Sequence, residues 1–283
     1  MNKKTKGILY VITAAFGFSM MSVFVNLAGD LPTFQKAFFR NAVALVFVAS
    51  IMIKNKISFV PQRQYLPALF GRAIFGTIGL LCNFYAIDRL VLADANMLNK
   101  LSPFFAIIFS AFILKEKPKI IQILGIIVAF AGSVCIIKPS GSGYAAFPAI
   151  IGAIGGMGAG LAYTFVRYLG KKGANSFVII FFFSAFSCLL CIPFMLSEFE
   201  PMSAKSLLCL ICAGASACLG QFGITKAYVY APAKEISVYD YTQVLFAALF
   251  GCFLHQYPDW LSIVGYFLIC GAGIGMFFYN KKQ

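Results

Sequence analysis

The sequence predicts an all-α integral membrane protein with about ten transmembrane helices in two inverted five-helix repeats. Three observations predict it. Of 283 residues, 61% are hydrophobic and 11% charged, and the mean hydropathy is +0.87. A water-soluble fold of this size cannot hide that much apolar surface. The apolar residues run in unbroken stretches of about 20, the length that crosses a hydrocarbon core about 30 Å thick, not in the shorter alternating segments of a β-barrel. Finally, a stretch of the first half returns in the second at a constant register.

Dividing the chain at proline, glycine and charge gives spans over 7–27, 34–53, 66–86, 92–113, 118–137, 146–168, 176–196, 205–229, 232–254 and 260–280. The first follows Lys3, Lys4 and Lys6 as a signal peptide would, but it lacks a convincing small-residue cleavage site and is read as a retained helix. The second carries Lys36, Arg40 and Asn41 near its start, and the third carries Arg72 about two turns in. The fourth holds Asp94, Asn96 and Lys100, with Pro103 a turn later. Gly152, Gly155, Gly156, Gly158 and Gly160 give the sixth the small-residue spacing of helices that approach closely. The seventh and eighth contain Cys188/Cys191 and Cys209/Cys212, whose CxxC spacing can mark a zinc site or a disulfide across a hairpin. An apolar setting disfavours the thiolate a metal needs, so these are read as packing residues. The ninth opens on the polar run Asp240, Tyr241, Thr242 and Gln243, and Trp260 anchors the tenth at an interface.

The net charge of +14 would suggest nucleic acid if it formed one solvated patch, but the basic residues fall in short clusters between apolar runs. Alternate loops carry Lys3, Lys4, Lys6; Lys54, Lys56, Arg63; Lys115, Lys117, Lys119; Lys171, Lys172; and Lys281, Lys282. The opposite loops hold Arg89, Lys138 and Lys205 with Asp30, Asp88, Glu198, Glu200 and Asp259. By the excess of positive charge in cytoplasmic loops, both termini face the cytoplasm of a multi-pass protein of the cell membrane.

Segment 92–106 laid on 232–246 keeps its register through Leu114/Leu254, Pro118/Pro258 and Gly125/Gly265, and Gly17 and Val25 fall near Gly158 and Val166. Such self-similarity signals duplication, with residues 1–140 as one repeat and 141–283 as the other. With five spans in each, the second enters the membrane from the opposite side, the inverted-topology plan of many secondary transporters.

At these residues the chain resembles the drug/metabolite transporter superfamily, and within it the EamA-type members of ten helices. The matching stretches are 72–81 with Phe84-Tyr85-Ala86-Ile87, Leu92-Ala-Asp-Ala-Asn, Ser102-Pro103-Phe104-Phe105-Ala106 and Lys115-Glu116-Lys117. In the second half they are Ala231-Pro232-Ala233, Tyr239-Asp240-Tyr241-Thr242-Gln243 and 246–251. The resemblance implies transport of a metabolite, amino acid or nucleotide-related solute across the cytoplasmic membrane, often outward. The chain departs from the family pattern at His255-Gln256, where a Gly-Glu pair is usual, and Lys100 and Glu235 are unusual at their positions.

Charge inside a bilayer costs about 2.5–3.5 kcal/mol at a helix centre, so charges kept there are the first candidates for function. The candidate substrate or pathway residues are Arg40, Arg72, Asn96, Lys100, Lys226, Tyr239, Asp240 and Gln243. Arg40 and Arg72 either hold an anion or anchor at an interface. Lys100 shares a helical face with Asn96. Its repeat equivalent is Asp240, so opposite charges meet where the halves face each other, as pathway groups or as a buried structural pair. Lys234 and Glu235 are read as helix-start residues.

The chain shows no nucleophile–base–orienter set, His255 being its one histidine, and no GxxxxGK[ST] loop, which argues against an enzyme or an ATP-driven pump. No cofactor or metal is expected. The expected partners are a small solute, the lipid bilayer and a coupling proton or ion, with a homodimer left open and nucleic acid excluded. The excess of basic over acidic intramembrane residues favours a solute with an anionic or zwitterionic group. A lipophilic-cation exporter, which the 32 phenylalanines would suit, is the alternative, ahead of a scaffold or a lipid-modifying enzyme.

Overall fold

The computed structural model describes residues 3–115, 119–137, 146–231, 236 and 239–281. The expectations that rest on Glu116, Lys117, Pro118, Lys138, Lys234 and Glu235 lie outside the described residues. The helices are α1 (Lys3–Leu27), α2 (Thr33–Lys54), α3 (Leu66–Ile87), α4 (Leu92–Asn99), α5 (Ser102–Ile113) and α6 (Ile120–Ile137). They continue with α7 (Ala146–Lys171), α8 (Ser176–Ser197), α9 (Ala204–Tyr230), α10 (Thr242–Phe253) and α11 (Trp260–Lys281). A short 3-10 turn, Arg63–Tyr65, leads into α3. Among the described residues, eight helical stretches are long and apolar enough to cross a membrane, with α4 and α5 counted together over Leu92–Ile113, and Thr242–Phe253 and Trp260–Gly275 are shorter apolar helices. The chain is therefore an all-helical multi-span membrane protein.

The fourth span is not the continuous helix that 92–113 predicts. It breaks at Lys100 and Leu101, where the amides of Lys100 and Leu101 turn back to Met97 and Leu98. Pro103 supplies the reason: it has no amide to donate, and its ring collides with the carbonyl four residues earlier in an unbroken helix. The ninth span turns at Tyr241 before α10, where the Thr242 hydroxyl donates to the Tyr239 carbonyl at 2.7 Å in competition with the helical backbone.

The two breaks sit 140 residues apart, and so do other features. α5 and α10 begin at Ser102 and Thr242 and end at Ile113 and Phe253. Past their ends, Lys115 and His255 both hold a φ of 55°, rare for residues with a side chain. A looser match, 144 residues apart, is the turn after α1 through Gly29 (φ 83°) and the turn after α7 through Gly173 (φ 81°), where glycine has no Cβ to clash.

The main packing partners are α1 with α9, α3 with α7, α2 with α8 and α6 with α11. Exchanging the first five spans with the last five maps this set onto itself. At the α1–α9 crossing a Cβ on Gly17 would lie 2.7 Å from the Gly220 amide, and at the α3–α7 crossing a Cβ on Gly158 would lie 2.9 Å from the Phe75 carbonyl. Backbone meets backbone at both places, as small-residue stripes permit.

One end of the bundle is acidic. There Lys36 and Asp88 form an ion pair at 2.6 Å, and Gln35 and Glu200 exchange two hydrogen bonds, side chain to backbone. Burial pushes the Asp88 carboxyl up from its ordinary range, against the pull of the Lys36 ammonium. Gln256, at the position that departs from the family pattern, has a structural role. Its Oε1 accepts from the Leu92 amide at 3.1 Å, capping α4, and its Nε2 donates to Asn26 at 3.3 Å.

Candidate functional site at the centre of the bundle

Midway along the helices lies a cavity of about 70 Å³, lined by both halves of the chain. α3 supplies one wall with Arg72, Gly76, Gly79, Leu80 and Asn83, which repeat every three or four residues and so share a face. Arg40 of α2, Tyr163 of α7, Phe183 of α8, Gln221 of α9 and Gln243 of α10 face it across the space.

Arg40 and Arg72 dominate the electrostatics. They are 2% and 3% exposed, and among the described residues neither has a carboxylate within ion-pair distance. The Arg72 guanidinium lies 4.0 Å above the Phe183 ring, and that of Arg40 lies 6.0 Å from the same ring. Arg40 Nη1 donates to the neutral Asn41 side chain. Arg40 Nε, Arg72 Nε and the Asn83 carbonyl oxygen are buried without hydrogen-bond partners. Buried polar groups are normally satisfied, and a buried charge normally has a counter-charge. The two guanidiniums, each with an unpartnered Nε donor, are therefore equipped to receive an anion with acceptor oxygens, while the Asn83 side-chain oxygen is an acceptor and suits a donor group of the same solute. The cavity itself has room for roughly five waters, at 10–15 Å³ each, and must widen to admit a metabolite.

Behind Gln243 runs a buried polar chain. Gln243 Nε2 donates to Asn96 Oδ1 at 2.6 Å, Ser22 donates to the same oxygen at 3.2 Å, and the Ser19 hydroxyl donates to the Gln243 carbonyl at 2.8 Å. The chain ties α1, α4 and α10 together. Beside it, at the two helix breaks, Lys100 Nζ meets Asp240 Oδ1 at 2.8 Å, with both side chains nearly inaccessible. Tyr163, which lines the cavity, lies within electrostatic reach of Arg40, Arg72 and Asp240.

Of the sequence candidates, Arg40, Arg72 and Gln243 line the cavity, Asn96 lies one bond behind it, and Lys100 and Asp240 pair next to it. Two lie elsewhere. Lys226 is half-buried one turn from the end of α9, with its ammonium 5.6 Å from the Phe177 ring and 5.8 Å from the Phe222 ring. Tyr239 is half-buried and does not line the cavity. Reading by charge overlooked Asn83, Asn99, Gln221 and Phe183. The signal for three of them was an amide inside an apolar run, and for Phe183 there was none.

A wider recess of about 650 Å³ opens at the acidic end, lined by Asp30, Asp88, Arg89, Glu198 and Glu200. On α3, Leu81, Cys82 and Tyr85 face this recess while Leu80 and Asn83 face the cavity. The nine cysteines are free; Cys191 packs among apolar residues of α1, α3 and α9.

The EamA-like transporter family model matches residues 5–138 and again 146–278. The pseudopaline exporter CntI of Pseudomonas aeruginosa (strain UCBPP-PA14) is 34% identical over 275 residues, covering 95% of each chain. Solute carrier family 35 member G1 of Homo sapiens is 26% identical over 288 residues, 95% of this chain and 78% of that one. The S-adenosylmethionine uptake transporter of Rickettsia prowazekii is 23% identical over 283 residues, 98% and 94% of the two chains. A solved crystal structure shares the fold with a TM-score of 0.71 at 15% identity, over 98% of each chain.

Proposed function

Since the chain belongs to the EamA-like transporter family, we propose that it is a secondary transporter exporting a small metabolite with an anionic or zwitterionic group across the cytoplasmic membrane by alternating access. The observation that carries the reading is the pair of buried guanidiniums, Arg40 and Arg72, facing one cavity without a carboxylate partner among the described residues. A charge retained at that depth is costly. An anionic solute supplies the missing counter-charge, and Asn83, Asn99, Gln221 and Gln243 supply polar contacts to the rest of it.

Alternating access follows from the plan of the bundle. Residues 1–140 and 141–283 act as two inverted repeats, a reading supported by the self-mapping packing and the matched breaks at Lys100 and Tyr241. Rocking one repeat against the other exposes the cavity first to one end and then to the other. The basic loops support a reading in which both termini are cytoplasmic and the acidic recess faces outward. The outward direction rests on the exporter from Pseudomonas, the more similar of the bacterial relatives described above.

A thermal-shift screen of the purified protein tests this. Citrate, glutamate, histidine, S-adenosylmethionine, nucleotides and two lipophilic cations, ethidium and tetraphenylphosphonium, serve as probes, because a ligand of the folded state raises stability by mass action. The reading expects stabilisation by acidic or zwitterionic probes that disappears in Arg72→Gln. Stabilisation by the lipophilic cations alone would transfer the function to the export of cationic compounds.

A further inference from the structure

The Lys100–Asp240 pair lies where a structural ion pair is hardest to justify. Both ions have lost their water, and a buried pair recovers that desolvation only when further hydrogen bonds complete its geometry. Among the described residues, Asp240 Oδ1 has no hydrogen bond beyond its contact with Lys100. The hydroxyls of Ser102 and Tyr241, one or two residues away at the two breaks, are buried without partners. Lys100 closes the carboxyl end of α4, and Asp240 stands just before the amino end of α10. Each charge suits its helix end, so each half-helix is polarised without the other. The pair thus joins two separate half-helices, one from each half of the chain, next to a cavity whose other cations have no counter-charge.

We propose that Lys100 is a third anion-binding group of the transport site, masked in this conformation by the Asp240 carboxylate acting as an internal stand-in for the solute's anion. The proposal rests on the reading of the cavity as an anion site and adds the residue that couples binding to movement. An incoming oxyanion replaces Asp240 at Lys100. Release of Asp240 removes one of the ties between α10 and the end of α4, leaving the Gln243–Asn96 bond as the other, so the two repeats part more readily when solute is present. The groups around Asp240 are Lys100 from the fourth span, Tyr163 from α7 and Tyr228 from α9, with Tyr241 beside it and Cys270 of α11 beyond. Among the described residues none of these groups offers a second carboxylate that could take its place.

The test titrates the purified protein with inorganic phosphate at ionic strength fixed by sodium chloride and reads half-saturation from thermal unfolding. General salting effects of phosphate are shared by all variants, so differences between variants carry the result. Asp240→Asn removes the competitor and is expected to lower the half-saturating phosphate about tenfold or more, and the double variant Lys100→Gln/Asp240→Asn is expected to lose that gain. In the wild type, saturating phosphate should speed backbone hydrogen exchange over residues 98–104 and 240–245, a readout available even where Asp240→Asn does not fold. Equal phosphate responses in the single and double variants, or unchanged exchange in the wild type, would overturn the proposal. Arg72→Gln reports separately on the cavity: a wild-type phosphate response that it leaves intact counts against the guanidinium site and leaves the comparison at residue 240 standing.

Discussion

Arg72→Gln should make the empty protein more stable and its ligand weaker, a combination that separates a working cation from a structural one. An arginine at the centre of a membrane helix costs about 2.5–3.5 kcal/mol. Its place 4.0 Å over the Phe183 ring returns about 2 kcal/mol where the pair is shielded from water. Among the described residues no carboxylate returns the remainder. Glutamine keeps polar contact and drops the charge, so the free protein gains on the order of 1 kcal/mol, the difference between those two terms. Binding moves the other way. A hydrogen bond to a charged group contributes about 1.5–3 kcal/mol, so affinity for an anionic solute falls roughly 10- to 150-fold. Both quantities come from one assay, thermal unfolding in detergent followed by the fluorescence of the single tryptophan, Trp260, with and without ligand. A variant that loses several kcal/mol while binding as the wild type does would make Arg72 a packing residue and refute the reasoning.

Asn96→Leu strips the partner from Gln243 Nε2, while Ser22 keeps its bond to the Phe18 carbonyl, and should cost about 1–3 kcal/mol in thermal unfolding, the cost of an orphaned buried donor. Gly158→Leu drives a side chain into the backbone of α3 near Phe75 and Gly79 and should destabilise by about 1–3 kcal/mol or more, with the α3–α7 pair splaying in hydrogen exchange. At Asp88 burial holds the folded-state pKa above the ordinary carboxylate value, so the native state binds the extra proton. Its contribution to stability is then complete below that ordinary value and is lost as pH rises through the folded one. Asp88→Asn should remove this slope, and identical pH profiles for the two proteins would contradict it.

Much of the fold is legible in the sequence because a membrane solvent is unforgiving: a run that crosses it must be long and apolar, and the charges at its ends must sort by side. The helix breaks were less legible. Pro103 signals the first, but Thr242 and Gln243 give the second no comparable mark, and both runs pass as continuous spans in composition. The candidate site was half legible. Arg40, Arg72 and Lys100 stand out as charges inside apolar runs, and the 140-residue register brings Lys100 opposite Asp240, where the structure pairs them. Lys226 stands out equally and lies beside two aromatic rings near the end of α9. The amides Asn83, Asn99 and Gln221 carry no charge to draw notice, although Asn83 follows Arg72, Gly76 and Gly79 along one helical face. Phe183 is one phenylalanine among 32, and its role depends on which arginines fold against it. Gln256 works through a contact 164 residues away that no local pattern contains.

The central claim, a transporter whose solute carries an anionic group held at Arg72, is tested most directly with inverted membrane vesicles from cells expressing the chain. The vesicles are energised, incubated with a total aqueous metabolite extract, washed and analysed by mass spectrometry. The account predicts accumulation of one or a few acidic or zwitterionic metabolites that is missing from vesicles carrying Arg72→Gln. Accumulation restricted to lipophilic cations, or an identical profile from wild type and variant, would contradict it.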